Sequence, residues 1–134
     1  MVIVDAGPLV ALFDKAETAH EQCHAALKQC KASPVTTWPA LTEAFYLLGD
    51  WEKGRKKLWD FILSGGLRID AIPEDRWSRM RELMEKYSDL PMDLADASLV
   101  ALSELHKVKT IFTLDRTDFS TYRPKHTPHY KIIP

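Results

Sequence analysis

Strand-like and helix-like segments alternate along the whole chain, and this alternation restricts the fold more than any other feature. "VIV" at 2–4 is a short, continuous β-branched run of the kind buried in a parallel sheet. "GP" at 7–8 opens a short helix with Pro8 in its first turn, and a second helix is expected over 17–31, stopping before Ser33-Pro34. "PVTTW" reads as a second strand, and Pro39 opens the helix "PALTEAFYLLGD", which ends near Gly49. "WEKGRKKLWDFILSGG" is a further helix closed by Gly65 and Gly66. "LRIDAI" alternates as a half-exposed strand does, and "PEDRWSRMRELMEKYS" is an amphipathic helix. "PMDLADASLVALSELH" is a helix with an almost wholly apolar body. "TIFTL" at 110–114 is the next strand, and a polar loop, "DRTDFSTYRPKHTP", leads to a last one, "HYKII". Strands separated by helices pair in parallel, because the intervening crossover returns the chain to the same end of the sheet. The expected architecture is α/β, with a mainly parallel sheet of about five strands and helices on both faces.

A length of 134 residues suits one domain, 1–134, around a single core. No apolar run approaches the length that spans a bilayer, so no membrane role is expected. "MVIVDAG" has no basic leader or cleavage site, and a cytoplasmic location follows as the expectation. Cys23 and Cys30 lie seven apart on one helix, too far for an intra-helix disulfide, and read as reduced thiols. The net charge of −1 excludes a globally basic protein, so any nucleic-acid contact must come from a local patch. Neither GxGxxG nor GxxxxGK[ST] occurs, which removes support for a dinucleotide or P-loop site.

The chemistry lies in carboxylates that do not suit their surroundings. Open parallel sheets form their sites at the carboxyl ends of strands, where strand order switches. Asp5 ends the first strand and Asp115 ends "TIFTL", although each could simply bond nearby loop amides. Glu43 lies in a helix that is apolar on nearly every side, where an unpaired carboxylate is costly. It needs either a cation in a cleft or a basic partner. Asp96 repeats the situation among Ala95, Ala97, Leu99 and Val100. Asp93, three residues earlier, is a plausible helix N-cap, and capping could account for both acids. If these side chains converge, they cannot all ionise unaided, and a hard divalent ion such as Mg²⁺ or Mn²⁺ resolves the conflict. The candidate set is Asp5, Glu43, Asp96 and Asp115, with Asp93 and Asp118 as outer candidates.

"VIVDAGPLVALFD", "TTWPALTEAFYLL", "LADASLVALSE" and "TIFTLDRTDF" together resemble the PIN domain family, in the order and spacing of VapC-type toxins of bacterial toxin–antitoxin pairs. The resemblance covers residues 1–133 and implies a three-layer α/β/α sandwich. It also implies a metal-dependent endoribonuclease that uses metal-activated water to leave a 5′-phosphate and a 3′-hydroxyl. By motif, the family's four acids fall on Asp5, Glu43, Asp96 and Asp115, and Thr113 matches the hydroxyl residue that precedes the fourth. The cofactor so implied is Mg²⁺ or Mn²⁺. The implied partners are an RNA substrate, a cognate antitoxin and a second copy in a homodimer.

Other features have competing explanations. His20, Cys23 and His24 share a helix face but lack a further ligand cluster, which favours a polar face with a half-buried thiol over a transition-metal site. "WEKGRKKLW" could grip RNA through Lys53, Arg55, Lys56 and Lys57 with Trp51 and Trp59. The preferred reading is a solvated helix face with its Trp residues in the core or at a dimer contact. Arg116, Arg123 and Lys125, beside His126 and His129, are the better candidates for RNA phosphate contact, because Asp115 adjoins them. A non-catalytic module with this fold, binding RNA or protein, is the alternative to an enzyme, but all four acid positions are filled. A receiver-type domain is a third possibility, and a single Asp after the first strand supports it poorly.

Overall fold

The structure, a computed structural model, describes residues 1–134. Five strands form one sheet in the order β3-β2-β1-β4-β5, and every neighbouring pair is parallel. They are β1 (Val2–Val4), β2 (Pro34–Thr37), β3 (Arg68–Asp70), β4 (Thr110–Phe112) and β5 (Lys131–Ile133). Seven helices connect them: α1 (Ala6–Ala11), α2 (His20–Gln29), α3 (Trp38–Leu48), α4 (Glu52–Leu63), α5 (Trp77–Lys86), α6 (Leu94–His106) and α7 (Arg116–Thr121).

The strand order fixes where a site can lie. The chain runs outward from β1 through β2 to β3, then returns to lay β4 along the other side of β1, in register Ile3↔Ile111 and Val4↔Phe112. That reversal opens a crevice at the carboxyl ends of β1 and β4, the switch point at which such sheets bind ligands.

Side-chain alternation along the strands separates two cores. Val2, Val4 and Phe112 pack with Leu9, Cys23, Leu41 and Leu58 under α1 to α4. Ile3, Val35 and Ile111 pack on the opposite side with Leu83, Leu99, Leu102 and Phe119, from α5, α6 and α7. The molecule is therefore an α/β/α sandwich. Helix α6 is buried along most of its length, and its apolar body is what allows it to lie between the sheet and its helical neighbours.

Several boundaries differ from expectation. The segment "DRTDFSTYRPKHTP" is not a continuous loop, because it holds α7. Asp115 caps that helix through the Asp118 amide, while Phe119 and Tyr122, three residues apart, bury completely on its inner face. Helix α2 starts at His20 rather than at 17, and α5 is preceded by a 3-10 turn, Glu74–Arg76. Helix α3 is not buried all round: Tyr46 is 82% and Leu47 55% exposed, and Glu43 is half-buried at the edge of the crevice. It ends at Gly49, whose φ of 60° is open to glycine at little cost. Trp51 and Trp59 are not core residues. The first lies against Gly54 and the second beside Phe45, both substantially exposed.

Candidate active site

Four chain segments deliver carboxylates to the switch-point crevice. Asp5 leaves β1 as the N-cap of α1 and is buried. Its Oδ1 accepts from the Ala6 amide at 2.8 Å and its Oδ2 from the Thr113 hydroxyl at 2.7 Å. Thr113 Oγ1 in turn accepts from the Asp115 amide at 3.0 Å. The ends of β1 and β4 and the backbone of the last acid are thus tied into one hydrogen-bonded unit. Asp115 caps α7 by accepting from the Asp118 amide.

At the start of α6 the two acids have different partners. Asp93 is the N-cap, its Oδ1 accepting from the Asp96 amide at 2.8 Å. The Asp96 carboxylate caps nothing; its Oδ2 accepts from the Tyr122 hydroxyl at 2.7 Å. Glu43 comes from α3, whose N-cap residue Thr37 meets Ser98 of α6 hydroxyl to hydroxyl at 2.6 Å, fixing the two acid-bearing helices against each other.

These residues line one cleft of about 430 Å³: Asp5, Glu43, Asp93, Asp96, Asp115 and Asp118, bordered by Leu47 and Leu114. No Lys, Arg or His lines it, and none of the six acids is in an ion pair. Burial and crowding therefore act together. Burial raises the Asp5 carboxyl above its ordinary value, against the two hydrogen bonds it accepts. Burial, then the charges of Asp93 and Asp5, raise Glu43. Asp96 is pushed up to about 7, mainly by burial, with Asp93, Asp5 and Asp115 adding to it against the Tyr122 bond. Asp118 is raised by burial and by its neighbour Asp115.

The donor set is all carboxylate oxygen, which fits a hard divalent cation and does not fit a soft one. No three His, Cys, Asp or Glu side chains are drawn together as a ready-made ligand group. The fit to an ion therefore rests on the uncompensated, partly desolvated charge.

The cationic candidates lie outside the cleft. Arg116 donates to the Pro134 carbonyl, and Arg123 to the carbonyls of Ser120 and Tyr122. Lys125 lies toward the other end of α6, its amide donating to Glu104. His20 and His24 bond the carbonyls of Ala11 and Leu12 and so finish the turn after α1, with Cys23 buried and unpaired by disulfide. The residue that the sequence reading passed over is Tyr122. Its only signal was its spacing from Phe119, which marks one buried helix face.

Fold and site together define an α/β/α sandwich protein with an all-carboxylate cleft at its switch point. More narrowly, the chain belongs to the PIN domain family, whose profile matches residues 2–123. It is 27% identical to Ribonuclease VapC26 of Mycobacterium tuberculosis, over 99% of this chain and 100% of that protein. Among solved structures, the Mycobacterium tuberculosis toxin VapC20, described as cleaving the sarcin-ricin loop, superposes with a TM-score of 0.78 at 15% identity, covering 87% of this chain and 92% of that one. A toxin–antitoxin complex from Klebsiella pneumoniae gives 0.71 at 20% identity, covering 98% and 100%. At these identities the two structures speak to the fold alone.

Proposed function

We propose that this chain, as one unit over residues 1–134, is a metal-dependent endoribonuclease and the toxin of a toxin–antitoxin pair. The observation that carries the reading is a cleft of carboxylates at the β1/β4 switch point with no cationic side chain to balance them. The ribonuclease similar along its whole length supports the same reading. Asp5, Glu43, Asp96 and Asp115 would hold Mg²⁺ or Mn²⁺, with Asp93, Thr113 and Asp118 in outer positions. When bound, such an ion supplies charge stabilisation to the phosphodiester under attack and acidifies water to make the nucleophile. Water's oxygen would bond to phosphorus as the bond to the 3′ oxygen breaks, leaving a 5′-phosphate and a 3′-hydroxyl. Within the chain, Thr113 and the Ala6 amide hold Asp5 in one orientation, and Asp93 holds the start of α6. Leu47 and Leu114 border the acids.

Arg116, Arg123 and Lys125 are assigned to the RNA backbone beyond the cleft, where a phosphate contact would show as a salt-dependent loss of affinity. The partners in this reading are RNA, a cognate antitoxin and a second copy. The exposed Trp77 and Leu94, joined by the half-buried Met80 and Met84, form an apolar surface that supports a homodimer. No helix is long and apolar enough to cross a membrane. A cytoplasmic setting, where cellular RNA is the substrate, is part of the proposal.

The test is RNA cleavage with Mn²⁺ and with EDTA, by wild type and by Asp96→Asn, beside calorimetric Mn²⁺ binding. The expected outcome is metal-dependent cutting by wild type and neither binding nor cutting by a folded Asp96→Asn. A folded wild type that binds RNA without cutting it in any divalent ion would establish the non-catalytic module instead.

A further inference from the structure

Tyr122 is completely buried, yet it spends its hydroxyl on the acid cleft. A buried hydroxyl must be paired, and a carboxylate is its strongest acceptor. The 2.7 Å bond to Asp96 Oδ2 leaves Asp96 Oδ1 with no hydrogen-bond partner, in a residue that lines the cleft. The ring cannot swing away. Phe119 meets it edge-on at 5.1 Å and Tyr87 at 5.0 Å between centroids. The Tyr87 hydroxyl is itself fixed, accepting from the Arg123 amide at 2.8 Å. Helix α7 therefore reaches the cleft twice. At its start Asp115 lines it directly, and just past its end Tyr122 reaches it through Asp96.

We infer that Tyr122 is the positioning residue for Asp96: the Tyr122 hydroxyl fixes one oxygen of the Asp96 carboxylate so that the other is presented to a divalent ion in the cleft. The inference rests on the nuclease reading and deepens it. A hydroxyl that orients a metal-holding carboxylate influences the ion without touching it, and loss of such a partner weakens metal affinity or activity by about 10–100-fold.

Tyr122→Phe removes only the oxygen. It should bind Mn²⁺ about 10-fold or more weakly in calorimetric titration and cleave RNA slowly at limiting Mn²⁺. Saturating Mn²⁺ should restore much of the rate, because the site is weakened rather than removed. Tyr87→Phe, which disturbs the same ring cluster without touching Asp96, should bind Mn²⁺ as wild type does. A fluorine signal covers the case in which Tyr122→Phe folds poorly. In wild type labelled with 3-fluorotyrosine, the Tyr122 resonance should shift on adding Mg²⁺, and the Tyr46 resonance should not. Equal Mn²⁺ affinity in wild type and Tyr122→Phe, or an unmoved Tyr122 signal in a protein that does bind and cut, overturns the inference and leaves the nuclease reading intact. Failure of wild type to bind Mn²⁺ and cut RNA overturns both.

Discussion

Thr113 Oγ1 stands 2.7 Å from Asp5 Oδ2, joining residues 108 apart in sequence across the β1/β4 switch point. The hydroxyl also accepts from the Asp115 amide, so one buried atom carries two bonds. It links the two strands that open the crevice to the two acids that follow them. The geometry of the cleft is thereby coupled to the register of the central strand pair.

Thr113→Val keeps the volume and deletes both bonds. It should cost about 1–3 kcal/mol in urea unfolding, because a buried acceptor and a donor lose their partner. Thr113→Ser keeps the hydroxyl and should cost under about 1 kcal/mol. Mn²⁺ affinity should fall in the first variant and hold in the second, measured by calorimetry on the folded proteins.

Asp93 separates two roles that one carboxylate can fill. Asp93→Ala removes the N-cap of α6 and should lose about 1 kcal/mol of stability. Asp93→Asn is an equally good cap and removes one of the crowded charges, so its thermal midpoint without metal should equal or exceed that of wild type. If Asp93 occupies an outer position, Asp93→Asn should weaken Mn²⁺ binding less than Asp96→Asn does, a comparison made in one series of titrations.

Much of the fold was legible because it is written in period and punctuation. "VIV" and "TIF" are short apolar runs, and Pro39, Gly49 and Asp93 stand where helices start and stop. The acids were legible for a different reason: Asp96 in an apolar helix contradicts its neighbours. What the sequence hid depends on contacts between distant segments. Helix α7 is six residues long and polar by count, and beside the Asp115 cap it is the burial of Phe119 and Tyr122 in the core under α5 and α6 that stabilises it. The bond from Tyr122 to Asp96 spans two elements and has no local signature. Glu43 is only half-buried, and the apolar sequence of α3 does not reveal its exposed face at Tyr46 and Leu47.

Far from the cleft, Arg79 forms a two-pronged ion pair with the buried Glu104 at 2.9 and 2.8 Å, and the Lys125 amide completes it at 2.7 Å. Burial alone would raise the Glu104 carboxyl, but Arg79 and the Lys125 amide more than offset this and hold it below its ordinary 4.5. A lowered acid contributes stability above its unfolded value that is lost as pH falls through the folded one. Arg79→Met strands the carboxylate and should cost about 3–5 kcal/mol at pH 7. The cost should shrink toward pH 4, where the stranded carboxyl takes up a proton, and urea unfolding of both proteins at the two pH values reads it.

Asp96 has the opposite sign. Its carboxyl titrates about 7 in the folded chain, against an ordinary 3.8. Between those values the folded state binds a proton that the unfolded chain has released, so stability falls as pH rises through that window. Asp5 and Glu43, raised by burial and by neighbouring acids, act in the same direction. With EDTA present, the thermal midpoint should therefore be higher near pH 5 than near pH 8. Asp96→Asn should flatten the slope and recover about 1–2 kcal/mol at the upper end, because solvent reaching the partly exposed side chain screens part of the repulsion. Saturating Mg²⁺ should reverse the slope, because an ion that binds only the folded, ionised cleft stabilises it more as protons leave. A midpoint that rises with pH in EDTA would mean that the carboxylates are already balanced by the protein, which would remove the electrostatic case for a cation in the cleft.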